Sequence, residues 1–189
     1  MSFQDIKGQD KSTDILQSYL RDKSAACSYL FIGPQGLGKF LVAKTLAKAV
    51  NCLEKSTDSC EKCASCLKIE KNQHPDVHII DTCAPVTDVD SNAIKIECIR
   101  QLQKEINLKP YEARKKVFII NDAHNLTAEA SNALLKTLEE PPADSLIILV
   151  TSKPSLLFKT IISRCKIIKF YPLKRSQLKD LISREYSCD

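Results

Sequence analysis

The stretch Gly33-Pro34-Gln35-Gly36-Leu37-Gly38-Lys39-Phe40 follows the phosphate-cradling pattern G-x-x-x-x-G-K-[ST] at every position except the last. Glycines let such a loop curl until its N–H groups converge, and the helix that follows adds positive potential for phosphate. The eighth position ordinarily gives a hydroxyl to Mg²⁺, and Phe40 cannot bind a cation. A second candidate site is Cys52, Cys60, Cys63 and Cys66, spaced C-x7-C-x2-C-x2-C. Four cysteines in a polar stretch unable to bury them point to a tetrahedral Zn²⁺–thiolate site that ties the stretch down. An iron–sulfur pattern would need a cysteine where Glu70 stands. His74 reads as a capping or surface histidine rather than a substitute ligand. Cys27, Cys83, Cys98, Cys165 and Cys188 read as packing or surface residues.

These groups need elements to hold them. Tyr29 to Ile32 reads as a strand and Phe40 to Val50 as a helix, the context such a loop requires, with Leu41, Thr45, Leu46, Ala49 and Val50 on the apolar face. Ahead of the loop, Ile15, Leu16, Tyr19 and Leu20 have helical spacing behind a Ser12 cap. A helical turn or two ends near His74-Pro75. Val77 to Asp81 is then a strand, 82 to 93 a loop, Ile94 to Ile106 a helix, and Val117 to Ile120 a strand. Thr127 caps a helix stopped by Pro141-Pro142, and Leu146 to Val150 follows as a strand. Ser155 to Ile162 is a short helix, Lys166 to Tyr171 a last strand, and Ser176 to Tyr186 a further helix with little to pack on. Five apolar strands alternating with helices predict a parallel sheet covered on both faces. Ligands of such sheets sit at the carboxyl ends of strands, so the loop, Asn121, Asp122 and Thr151 should converge.

Bulk composition sets outer bounds. At 189 residues with 43% hydrophobic and 27% charged residues, the chain is an ordinary globular domain with room for a small appendage. No apolar run approaches the roughly 18 residues of a membrane helix, and no signal peptide is visible, so the expectation is cytoplasmic with no membrane partner. With nine cysteines and no secretion signal, metal ligation is a better reading than disulfides. Net charge of +5 allows nucleic-acid contact without requiring it. Lys95, Arg100, Lys104, Lys109, Arg114, Lys115 and Lys116 form a basic region, read plainly as a solvated helix face and loop. It has no interleaved aromatics for stacking bases. Arg164, between a helix and a strand, reads on position alone as a surface arginine or ion-pair partner.

Several motifs together resemble one family. Ala133-Leu134-Leu135-Lys136-Thr137-Leu138-Glu139-Glu140-Pro141-Pro142 is similar to the signature of bacterial clamp-loader ATPase subunits of DNA polymerase III. Ser163-Arg164-Cys165 is similar to their arginine-finger motif. The stretch Phe3 to Gln9 resembles their adenine-side segment, and the cysteines stand where those proteins carry a zinc module. His74-Pro75-Asp76 and the eroded nucleotide motifs bring the resemblance closest to the delta-prime type. It implies an AAA+ P-loop core over 1–172 with the zinc module 52–66 inserted, and the start of a helical lid over 173–189, cut short.

The resemblance also implies roles. At the end of its third strand the family carries Asp-Glu, the Asp for Mg²⁺ and the Glu for the attacking water. Asn121 and Asp122 occupy those places, so Phe40 and Asn121 remove the metal from both sides. Intrinsic ATP hydrolysis is therefore expected to be negligible, and retention of nucleotide is left open, because the loop N–H groups and Lys39 survive. Thr151 matches the nucleotide-sensing position. Arg164 would act in trans on a neighbour's γ-phosphate, and Lys95 and Arg100 would contact primer–template DNA within the assembly. Implied partners are gamma/tau and delta-type subunits, the sliding clamp and that DNA. Two alternatives stay open: an active ATPase of gamma/tau type, and a stand-alone zinc-containing nucleic-acid-binding module.

Overall fold

A computed structural model describes residues 1–22, 27–54, 57–81 and 93–173. The helix expected over Ser176 to Tyr186, the lid start at 173–189 (apart from residue 173), the loop 82–93 (apart from residue 93), Cys83 and Cys188 lie outside those residues. The strands are β1 (Cys27–Ile32), β2 (Val77–Ile80), β3 (Lys116–Ile120), β4 (Ser145–Thr151) and β5 (Lys166–Lys169). The helices are α1 (Asp10–Asp22), α2 (Lys39–Val50), α3 (Ala64–Glu70), α4 (Ile96–Ile106), α5 (Ala128–Glu139) and α6 (Lys159–Ile162).

All strand pairs are parallel, in the order β2-β3-β4-β1-β5. Alternation along each strand sends residues to two faces. Tyr29, Phe31, Val117, Ile119, Leu146 and Ile148 pack under α1, α2 and α3. Leu30, Phe118, Ile120, Ile147 and Leu149 pack under α4, α5 and α6. The central strands β3 and β4 are buried at every position, so their runs of Val, Ile, Leu and Phe show no polar alternation.

Several boundaries differ from the sequence reading, for local reasons. Ser12 is not a cap: α1 starts two residues earlier, and the Ser12 hydroxyl donates to the Lys169 carbonyl at 2.8 Å. The carboxamide of Gln9 pairs with the Tyr171 backbone in both directions, donating to its carbonyl at 2.8 Å and accepting its N–H at 3.2 Å. In α2, Leu41 is 38% exposed whereas Lys44 and Lys48 are buried, because the zinc-type module covers the flank that carries the lysines. Ile94 belongs to a parallel bridge with Leu126 and not to α4. The stretch 155–162 splits into a 3-10 turn, Pro154–Leu156, and α6. The helix before His74 ends at Glu70, and β5 ends at Lys169.

His74 is buried, and its Nδ1 accepts the Asp76 N–H at 3.1 Å. Asp76 in turn accepts the backbone N–H groups of Tyr111, Glu112 and Ala113 at 2.8, 2.8 and 2.9 Å. The His-Pro-Asp triplet is thus a clamp on the turn before β3, not a ligand set.

Candidate functional site

The phosphate loop leaves β1 at Ile32 and enters α2 at Lys39, with Gly36 and Gly38 at φ +80° and +72°, where side-chain-bearing residues are strained. Gly33 is required for a different reason: a Cβ there would lie 2.6 Å from the Phe170 carbonyl oxygen. The Lys39 ammonium is buried and donates to the carbonyls of Gly33 and Pro34. Burial pushes Lys39 below its ordinary value, and the Asp122 carboxylate nearby opposes that shift. Phe40 packs with Leu37 and Ile6 against the core under α1 and α2. It fills apolar space where the phosphate-loop pattern has a hydroxyl.

The other strand ends do converge. Asn121 and Asp122 follow β3 and Thr151 closes β4, which lies between β3 and β1. Asp122 takes the left-handed conformation, φ 45° and ψ 48°, which a short polar side chain tolerates. Sequence reasoning missed His124, whose Nδ1 lies 3.2 Å from Thr151 Oγ1 and 3.9 Å from Asp122 Oδ1. Thr151 Oγ1 also accepts the Lys153 N–H at 3.1 Å, leaving the hydroxyl proton for the imidazole. Burial lowers the His124 pKa; Asp122 opposes this, and Lys153 and Lys39 add to it. A neutral imidazole therefore engages the Thr151 hydroxyl. The cluster offers an anion N–H groups and Lys39, but Asn121 is an uncharged amide and Phe40 has no oxygen to offer Mg²⁺.

Cys52, Cys60, Cys63 and Cys66 come together as expected, with all four sulfurs within 4.8 Å of one another. Tetrahedral thiolates at a Zn–S distance of about 2.3 Å stand about 3.8 Å apart, so a small closure suffices. The Cys63 N–H points at Cys60 Sγ at 3.3 Å and the Cys66 N–H at Cys63 Sγ at 3.5 Å, which favours thiolates. Burial and the neighbouring Cys63 thiol push Cys66 strongly upward, so packed thiols alone resist ionising and a cation would relieve them. The cluster fits a zinc site. Among the other cysteines, Cys165 is buried, and burial pushes its thiol up to about 12.

The module rests on two lysines of α2. Lys44 Nζ donates to the Glu70 carbonyl at 2.6 Å. Lys48, 1% exposed, donates to Glu61 at 2.8 and 2.7 Å, to Glu70 Oε2 at 2.8 Å and to the Met1 carbonyl at 3.0 Å. Burial alone would push Lys48 down, but the two carboxylates outweigh it and hold the ammonium above its ordinary value. Burial raises Glu61, and Lys48 among other donors overrides that and pulls it down to about 2.

Arg164 stands apart from the loop. It precedes the amino end of β5, whereas the loop follows the carboxyl end of the parallel neighbour β1, one strand length or roughly 13 Å away. Its guanidinium is held by Glu139 Oε1, which accepts from Nε at 2.7 Å and also from Nη2, and by the Thr160 carbonyl, which accepts from Nη1 at 3.0 Å. The basic region divides. Lys115 stacks over Tyr19 and Lys116 is buried on the Glu105 carbonyl, while Lys95, Arg100 and Lys104 are exposed on or beside α4.

A five-stranded parallel sheet in this order, with a phosphate loop after β1 and polar residues at the ends of β3 and β4, defines an AAA+ P-loop domain. A gamma-subunit-related protein of DNA polymerase III from Thermotoga maritima superposes with a TM-score of 0.61 at 24% identity, over 92% of this chain and 49% of that one. The Holliday-junction branch-migration motor RuvB of the same organism superposes at 0.60 with 18% identity, over 95% and 51%. A family model described as DNA polymerase III, delta subunit, matches residues 8–174. The delta-prime subunit of Bacillus subtilis is 38% identical over 95% of this chain and 53% of its own length. The tau subunit of the same organism is 41% identical over 89% of this chain and 29% of its own. The chain belongs to this family of DNA polymerase III clamp-loader subunits. It spans about half, or less, of the curated relatives it matches.

Proposed function

We propose that this chain is the AAA+ part of a clamp-loader subunit of delta-prime type. In this reading it does not hydrolyse ATP itself, completes a neighbour's ATP site through Arg164, and helps load the sliding clamp on primed DNA in the cytoplasm. The feature that supports the reading is that neither position of the Mg²⁺ pattern has a ligand to offer, Phe40 being partly buried against the core and Asn121 standing where the family carries a carboxylate. The position of Arg164 supports the second half, since it lies beyond the opposite end of the sheet from its own loop. Partners are then gamma/tau-type and delta-type subunits, with Zn²⁺ as a structural ion in the cysteine cluster. Exposed Lys95 and Arg100 are offered to DNA phosphates, which predicts weak and strongly salt-dependent binding by the chain alone.

Turnover of the purified full chain with and without Mg²⁺, compared with the assembled complex, tests the reading. No metal-dependent turnover is expected from the chain. The single substitution Phe40→Thr should restore none, because Asn121 still lacks a charge for the ion. Arg164→Ala should lower turnover in the assembly, by up to roughly 10³-fold at the site it completes. Ordinary ATPase rates from the chain alone would favour the gamma/tau reading, which the sequence similarity to tau keeps as the rival.

A further inference from the structure

Arg164 is the only residue of its motif with a long cationic side chain, yet in the free chain that side chain is already engaged. A guanidinium carries five N–H donors in a fixed planar fork. Glu139 takes two of them through a single oxygen, Oε1, from Nε and Nη2, which is the side-on face of the fork. Thr160, on the helix that leads to Arg164, takes one from Nη1. Three donors are thus satisfied. One hydrogen remains on each of Nη1 and Nη2, and these two are the donors left for a phosphate.

The two acceptors are themselves fixed. Glu139 is the last residue of α5, stopped at that point by Pro141-Pro142. Thr160 lies in the four-residue helix α6, and its carbonyl receives the guanidinium and the Ser163 hydroxyl. An unheld arginine would sample many rotamers and lose most of that freedom on reaching a phosphate. We infer that Glu139 and the Thr160 carbonyl are positioning groups for Arg164, holding three of its donors so that the two left over are presented to a phosphoryl group of a neighbouring subunit. This rests on the trans-acting reading of Arg164. The stretch Leu138-Glu139-Glu140-Pro141-Pro142 then carries the carboxylate that aims the finger.

The test uses the full chain reconstituted with its gamma/tau-type and delta-type partners, with steady-state ATP hydrolysis as the readout. Glu139→Ala should lower kcat roughly 10-fold while leaving KM for ATP within about 2-fold, because orientation counts in the transition state more than in the bound ground state. Glu139→Gln should recover most of that loss, since one amide oxygen can accept from both Nε and Nη2. The Arg164 Nε–H resonance should exchange with water faster in Glu139→Ala than in Glu139→Gln. A melting temperature unchanged in both variants separates positioning from folding, as expected for an exposed ion pair. A kcat in Glu139→Ala equal to or above that of the parent, with Arg164→Ala impaired, overturns the positioning role and leaves the finger standing. An unimpaired Arg164→Ala assembly overturns the finger and this inference with it.

Discussion

Lys48→Met replaces a buried ammonium by a side chain of similar length that keeps the apolar stem. In the parent, Nζ makes three contacts with the carboxylates of Glu61 and Glu70 and one with the Met1 carbonyl. Removing one member of a buried ion-pair network costs about 3–5 kcal/mol when the stranded partners stay dry. Here they do not: Glu61 and Glu70 keep 31% and 50% of their side-chain surface exposed, so water can replace the lost donor. That reduces the expected cost to about 2 kcal/mol. For a chain of this size, about 2–4 °C of melting temperature accompanies each kcal/mol, so the zinc-loaded variant should melt about 4–8 °C lower. Glu61 sits between Cys60 and Cys63, so freeing it should also loosen the module and speed loss of metal to a chelator. Calorimetry with a colorimetric chelator assay reads both. A melting point within about 1 °C of the parent, with unchanged metal release, would refute the claim that Lys48 joins the module to the helix after the phosphate loop.

Three further outcomes follow from other contacts. Metal analysis should find one Zn²⁺ per chain, lost in Cys63→Ser or after chelation with a large fall in melting temperature, since the cluster's buried members are cysteines alone. Asp76→Asn leaves an amide NH₂ facing one of the three backbone N–H groups that the carboxylate accepts, at a cost of about 2 kcal/mol at neutral pH by chemical denaturation. Burial raises the Asp76 pKa, but those N–H groups override it and hold the value below 3.8, so its contribution is present above about pH 4 and lost as pH falls through the folded value. The acid limb of the stability curve should therefore flatten in Asp76→Asn. Gly33→Ala puts a methyl 2.6 Å from the Phe170 oxygen and should cost about 1–3 kcal/mol by forcing the end of β5 away from the loop.

Much of this architecture was readable from pattern. The continuous apolar runs of β3 and β4 and the glycine spacing of the loop are set by local chemistry, and the cysteine spacing brought its four sulfurs together as expected. The errors arose where tertiary contact overrode local pattern. Lys44 and Lys48 look like solvent-facing residues of an amphipathic helix, and carbonyls and carboxylates from distant segments make their burial tolerable. Ser12 looks like a cap until β5 supplies a carbonyl for its hydroxyl. His124 carried no signal beyond following Asn121-Asp122-Ala123, because its role depends on Thr151 arriving from the adjacent strand. The Arg164 pair with Glu139 joins two motifs visible separately in sequence, but their contact is a fact of packing.

The strand order has a consequence for how the chain folds. β1, made before β4 and β5, takes its place between them, and Leu30 finds its β4 partner, Leu149, roughly 120 positions later. Closing so long a loop requires entropy to be lost before any reward from pairing arrives, which makes such sheets slow to form. Until β4 emerges, Leu30, Phe31 and the loop that follows them lack their central partner, and an unpaired apolar strand is what chaperones and aggregation compete for. The cysteine module closes within a short stretch of sequence and is bonded to α2, so metal capture can fix the flank of β1 while its partner strands are still to come. A refolding rate that rises when Zn²⁺ is present from the start, rather than added afterwards, would be the kinetic trace of that order of events.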